Sequence, residues 1–173
     1  MCLKPEDWGF TTDREGALRI GGVAADLLAR RFGTPLQTVD LDGLRERARR
    51  FRAAFETAYR APTSVHYAFK CNNTPGIAGA ILEEGLRPEV GTLYEWTLAR
   101  RLGAAPHEIV VNGPFKGALI ETAVSSGAGY IVADGPADLR AIEGAAERHA
   151  RVAKVLLRVN PDCVPRGMNR AKR

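Results

Sequence analysis

From residue 65 onward, apolar and polar positions come in blocks of regular length. Short apolar runs begin near Val65, Pro88, Ile109, Tyr130 and Val155, at spacings of 23, 21, 21 and 25 residues. Each of the first four is followed by apolar residues at helical intervals. Ile77, Ala80 and Ile81 precede Gly85; Leu93, Trp96 and Leu102 precede Gly103; a third stretch runs from about Lys116 to Ser126 before Gly127; and Leu139, Ile142 and Ala146 form the fourth. A short apolar run followed by a 3.6-residue period is the βα unit, and its repetition predicts a parallel sheet. Upstream, Val23, Leu27 and Leu28 predict a short amphipathic helix that starts at Gly22, closes at Gly33 and is stopped by Thr34-Pro35. Leu36 to Val39 reads as a strand, and Asp40 or Asp42 as the cap of the next helix. Leu44, Ala48, Phe51, Phe55 and Tyr59 form that helix's apolar stripe, and the arginines from Arg45 to Arg52 its solvated face. Residues 1 to 21 are polar and read as irregular.

Five strands in sequence suit either a doubly wound sheet or part of a (β/α)8 barrel. A dinucleotide-binding sheet would carry G-x-G-x-x-G at its first turn, and the chain has none. The barrel makes the sharper prediction, because the residues just past each strand must meet on one face. Here they are Lys70 and Asn72, Glu89 and Thr92, Asn112, Asp134, then Arg158 and Asn160.

Composition narrows the function classes. With 173 residues, 45% of them hydrophobic, the chain can bury a core in one domain of ordinary size. The net charge of +5 comes from 25 basic and 20 acidic residues interleaved along the helices, which leaves only a modest bias toward anionic ligands. An aromatic share of 7% and the lack of a basic stripe interleaved with aromatics argue against nucleic acid. Cys2, Cys71 and Cys163 lie too far apart in sequence for a zinc or C-x-x-C site, so a reducing, cytoplasmic compartment is expected. His66, His107 and His149 have no metal-ligand spacing, and no apolar run approaches membrane-spanning length.

The stretch with the most chemistry in it is Val65 to Pro75. An apolar strand ends at one lysine, and Thr74-Pro75 opens a helix, so Lys70 lies at the strand-to-helix switch. A lysine desolvated there can act as a nucleophile toward a carbonyl compound and form a Schiff base; the other reading is a lysine that snorkels from the strand end into water. Cys71 reads as a small packing residue. Thr92 and Glu95 have capping-box spacing, which accounts for both without catalysis. Arg158, at the end of an apolar strand, needs an anionic partner if it is buried.

Tyr67-Ala68-Phe69-Lys70-Cys71-Asn72 resembles the Y-A-x-K-[AC]-N motif of the fold-type III pyridoxal-phosphate enzymes, in particular the ornithine/diaminopimelate/arginine decarboxylase group. Glu89 to Glu95 stands where that group has D-V-x-S-x-G-E, with glutamate at the aspartate position. Val111 to Lys116 resembles its N-x-x-K turn, and Leu157 to Pro161 its L-R-V-N-P strand. The resemblance implies a catalytic Lys70 that holds pyridoxal 5'-phosphate, with Glu89 and Arg158 beside the cofactor. It also implies decarboxylation of an α-amino acid of the diaminopimelate or ornithine type, and a homodimer for the full-length family.

A closed barrel takes about 250 residues, so the expectation is a partial, alanine racemase-like (β/α)8 barrel of about five βα units without the family's C-terminal β domain. The expected division is an irregular or helical segment at 1–33, a truncated cofactor-binding barrel at 34–165 and a basic tail at 166–173. So short a chain is expected to hold the cofactor yet decarboxylate poorly. Two alternatives are a non-catalytic half-barrel that binds pyridoxal phosphate, and an enzyme like alanine racemase. That group carries an aromatic-glycine pair soon after its lysine, whereas Asn72-Asn73-Thr74-Pro75 follows here.

Overall fold

The structure, a computed structural model, describes residues 4–160. The expected basic tail at 166–173, Cys2, Cys163 and Pro161 lie outside the described residues. Two compact units, Met1–Pro88 and Glu89–Arg173, divide the chain.

The first unit begins with a surprise. A single 3-10 turn at Pro5–Trp8, which leaves the Trp8 indole exposed, leads into β1 (Thr11–Thr12), β2 (Leu18–Ile20) and β3 (Val23–Ala24). These pair antiparallel in the order β1-β2-β3, so the stretch read as irregular is a small meander. Its turns are chemically specified. The Asp13 carboxylate accepts the Glu15 and Ala17 amides at 3.1 and 2.9 Å, and Gly21 and Gly22 supply the positive φ that the second turn requires.

Helix α1 (Ala25–Phe32) follows and closes at Gly33 as predicted. The strand expected at Leu36 to Val39 does not form: Leu36 and Val39 are exposed and no ladder partner lies beside them, and apolar character alone does not make a strand. Helix α2 (Leu41–Ala58) is capped by Asp40, whose carboxylate accepts the Gly43 amide at 3.0 Å. After β4 (His66–Ala68), helix α3 (Pro75–Glu83) starts on Pro75 in its first turn and leads into β5 (Arg87–Val90).

The face that α2 turns inward differs from the one its apolar stripe predicts. Only Ala48 of that stripe is buried, with Leu44 partly covered, in a cluster with Ile81, Leu86, Val65, Tyr67 and Ile77. Phe51, Phe55 and Tyr59 remain 56, 48 and 61% exposed, with the two Phe rings edge-on at 5.2 Å. Three arginines of the solvated face also meet the end of α3. Arg45 pairs with Glu83 and Glu84, Arg49 with Glu84 at 3.1 Å, and Arg52 donates to the Glu84 carbonyl at 2.6 Å. The physical reason is that α3 ends in two carboxylates and open carbonyls, and long arginine stems can lie over the apolar cluster to reach them.

The second unit is regular. From Glu89 onward it comprises the rest of β5, α4 (Leu93–Arg101), β6 (Val110–Val111), α5 (Ala118–Ser126), β7 (Tyr130–Ala133), α6 (Pro136–Arg148) and β8 (Val155–Leu157). β5, β6, β7 and β8 pair in parallel, with Val90 opposite Val111, Val111 opposite Ile131 and Ala133 opposite Leu157. The full strand order is β4-β5-β6-β7-β8, each βα unit adding the next strand in sequence.

The pleat of the second unit sorts its residues by face. Val90, Ile109, Val111, Ile131 and Ala133 are buried, along with Trp96 of α4, Leu119 of α5 and Ile142 of α6. Each fully buried Ile or Leu contributes about 1.5–3 kcal/mol relative to exposure. Glu89, Val110, Asn112, Val132 and Asp134 alternate with them on the opposite face and are half-buried. Gly129 enters β7 so close to the chain that a Cβ there would collide with the His107 carbonyl oxygen.

Candidate cofactor site

β4 ends in a tight turn that presents Lys70. The Cys71 amide donates to the Ala68 carbonyl at 3.0 Å, while Phe69 is completely buried and anchors the turn. The Tyr67 hydroxyl donates to the Asn72 carbonyl at 2.9 Å, and the Asn72 side-chain oxygen accepts the Thr74 amide at 2.9 Å. The amides of Ile77 and Ala78 then close on the Thr74 carbonyl, so strand, turn and helix form one continuous hydrogen-bonded path. Burial, with the nearby Cys71 adding to it, pushes the Tyr67 phenol above its usual range, so it stays protonated as a donor at neutral pH. Lys70 is exposed at the crest, which corrects the reading of a desolvated amine: the turn lifts the side chain away from the buried Phe69. Cys71 is exposed too, which corrects its reading as a packing residue: the turn aims it outward.

In the second unit the strand ends carry a row of polar groups. Asn112 follows β6 directly, its amide donating to the Val90 carbonyl at 2.8 Å and its side-chain nitrogen to a Glu89 carboxylate oxygen at 3.1 Å. The backbone after β5 comes in close, since a Cβ on Gly91 would lie 2.9 Å from the Asn112 carbonyl oxygen. Thr92 caps α4 by accepting the Glu95 amide at 3.2 Å. The buried Glu95 carboxylate reaches back past Thr92 to the Gly91 amide at 2.7 Å, which supports the structural reading of this pair.

Beyond β7 lies a cluster of charge built on one buried lysine. The Lys116 side chain is fully buried; its ammonium donates to the Gly113 carbonyl and pairs with Asp134 at 2.7 Å and Asp138 at 2.8 Å. Asp138 accepts the Asp134 amide at 2.9 Å, and the second Asp134 oxygen takes the Arg158 guanidinium at 2.9 Å. The Lys116 hydrogen bond, and after it that of Arg158, holds the Asp134 carboxyl below its usual range. Arg158 has the anionic partner expected of it, although its side chain is 53% exposed rather than buried, because β8 is the last strand of the described sheet.

Sequence reasoning singled out Lys70, Glu89 and Arg158 but gave Lys116 and Asp138 no role. The signal available was Lys116 in the N-x-x-K turn and an aspartate pair four residues apart at a helix start. Among the described residues, His, Cys, Asp and Glu form no group that could hold a metal ion. His149 pairs with Glu121 at 2.7 Å at the end of α6, and His66 lies between Ser64 and the Pro88 carbonyl.

An exposed lysine at the end of a strand offers an amine to a carbonyl compound, and successive βα units with polar groups at their strand ends are the framework on which barrels do such chemistry. Residues 41–169 match the pyridoxal-binding domain of the pyridoxal-dependent decarboxylases, and the chain belongs to that family. The family's cofactor is pyridoxal phosphate, and the Lys70 side chain has the amine that its aldehyde requires.

A diaminopimelate decarboxylase of Mycobacterium tuberculosis is 33% identical over 162 residues, covering 92% of this chain and 35% of the relative. An L-glutamyl-[BtrI acyl-carrier protein] decarboxylase of Niallia circulans is 33% identical over 136 residues, 78% of this chain and 31% of the relative. A crystal structure from Aquifex aeolicus superposes with a TM-score of 0.80 at 28% identity, covering 92% of this chain and 38% of that one. A diaminopimelate decarboxylase from M. jannaschii in co-complex with L-lysine shares the fold at a TM-score of 0.76 and 22% identity, covering 94% and 38%. The fold is therefore that of part of a pyridoxal-phosphate decarboxylase barrel, as the sequence predicted. The chain spans about a third of the length of the curated relatives it matches. Among the described residues, no helix is long and apolar enough to cross a membrane.

Proposed function

We propose that the protein takes part in pyridoxal-phosphate-dependent decarboxylation of an α-amino acid of the diaminopimelate or ornithine type, with Lys70 as the residue that holds the cofactor. The observation that carries the proposal is the turn after β4, in which Tyr67, Asn72 and Thr74 tie down the backbone on either side of an exposed lysine. Bound pyridoxal phosphate supplies an electron sink for the bond that breaks at the α-carbon. The chain's own residues bind and orient.

In this reading Lys70 would hold the cofactor through its side-chain amine, which would give up a proton to bind it and take one back on release. The protonated Tyr67 hydroxyl keeps the 70–74 turn in one shape while that happens. Glu89, oriented by Asn112, and Arg158, oriented by Asp134, are assigned to the cofactor pocket as the polar groups of the strand ends. A mycobacterial diaminopimelate decarboxylase at 33% identity supports the substrate class.

The test combines trapping with turnover. The chain is incubated with pyridoxal phosphate, reduced with borohydride and mapped by peptide mass; the label is expected on Lys70 and absent from Lys70→Ala. Label spread evenly over Lys4, Lys116 and Lys154 would overturn the assignment. Carbon dioxide release from diaminopimelate, lysine, ornithine and arginine then identifies the substrate. Labelling at Lys70 without release from any of them would favour the non-catalytic cofactor-binding alternative.

A further inference from the structure

The most deeply buried charge in the second unit, Lys116, has no part in the function proposed above. Its surroundings are unusual for a lysine. The ammonium has three donors and three partners, the Gly113 carbonyl, Asp134 and Asp138, with no part of the side chain in water. Asp138 is fixed in turn by the Asp134 amide and sits in the first turn of α6, where a carboxylate is favoured.

We propose that Lys116 is a positioning residue for Arg158: its buried ammonium fixes one oxygen of Asp134, so that the other holds the Arg158 guanidinium at the end of β8. The inference rests on the proposed function in so far as Arg158 serves the cofactor.

An exposed ion pair gains less than the rotamer entropy an arginine side chain gives up to hold it. An ordinary surface aspartate would therefore leave Arg158 mobile. Asp134 is not ordinary, because Lys116 takes one of its two oxygens at 2.7 Å and only the other is presented to Arg158, at 2.9 Å. The chain of contacts joins the turn after β6, the end of β7, the start of α6 and the end of β8. Movement of any one strand end is thereby felt at the guanidinium.

The 173-residue chain, labelled with 15N, gives a readout that does not need the cofactor. The Arg158 side-chain Nε–H signal, assigned by its loss in Arg158→Lys, is expected to be ordered in the parent protein. In Asp134→Asn and in Lys116→Met its order parameter should fall below about 0.6. Spectroscopic titration with pyridoxal phosphate should show a dissociation constant at least about tenfold higher in the same two variants. In an Arg158→Ala background, Asp134→Asn should cost nothing further.

Ile142→Val, a core change on α6, should lower the thermal midpoint and move neither readout. Should Lys116→Met fail to fold, Asp134→Asn carries both measurements. A mobile Arg158 in the parent, an equally ordered one in Asp134→Asn, an unchanged dissociation constant there, or an equal loss in the Arg158→Ala background each overturns the proposal. Failure of the parent chain to take up pyridoxal phosphate would instead strike the proposed function, while the order of Arg158 still decides the positioning.

Discussion

Two charged clusters of similar make-up do different things in this molecule. Between α2 and α3, Arg45, Arg49 and Arg52 meet Glu83, Glu84 and the last carbonyls of a helix, with most of the charge in contact with water. In the second unit, Lys116 meets Asp134 and Asp138 with its own side chain entirely buried. Water decides their worth. It screens and competes for the first set, so each pair adds little beyond the apolar contact that the arginine stems make. It has been removed from the Lys116 side chain of the second, so that cation depends on its carboxylate partners.

The comparison is broken most severely by Lys116→Met, which keeps the volume and leaves two carboxylates facing each other. A loss of about 3–5 kcal/mol is expected in urea denaturation of the second unit. Next comes Gly129→Ala, which sets a methyl against the His107 carbonyl oxygen; a loss of about 1–3 kcal/mol from overpacking is expected by the same measurement. Arg49→Ala tests the surface cluster. It should cost the least of the three, and the loss should shrink further at high salt.

The smallest effect is one of pH. Glu121, exposed on α5, is held down to about 2 by hydrogen bonds from Arg148 and then from His149. Its folded value lies below its unfolded one, so its stabilising contribution is complete at neutral pH and is lost as pH falls from the ordinary carboxylate range toward 2. Glu121→Gln should flatten the acid limb of a stability titration slightly. A variant whose acid limb matches the parent would show that the pair contributes nothing in solution.

What the sequence disclosed follows the same division between pattern and burial. The βα repeat was legible because five apolar runs and their helices recur at nearly fixed spacing, and the place of Lys70 between a strand and a helix was legible because it interrupts one run at the helix start. The meander at the N-terminus was missed because its strands are two or three residues long, too short for any alternation to register, although Asp13 and Gly21-Gly22 spelled out its turns. The stripe from Phe51 to Tyr59 was read correctly as one face and wrongly as the covered one, because spacing says which residues share a side and not what lies against it. Lys116 gave no sign of burial, since a lone lysine in a glycine- and proline-containing turn looks like any other until its partners are in place.

The chain has two tryptophans, one in each unit, and they stand in opposite surroundings: Trp8 in water, Trp96 packed away. An aqueous quencher such as iodide should therefore extinguish the red-shifted emission of the first unit and spare the blue-shifted emission of the second. Unfolding should red-shift only the Trp96 emission, so fluorescence follows the melting of the second unit with no label attached.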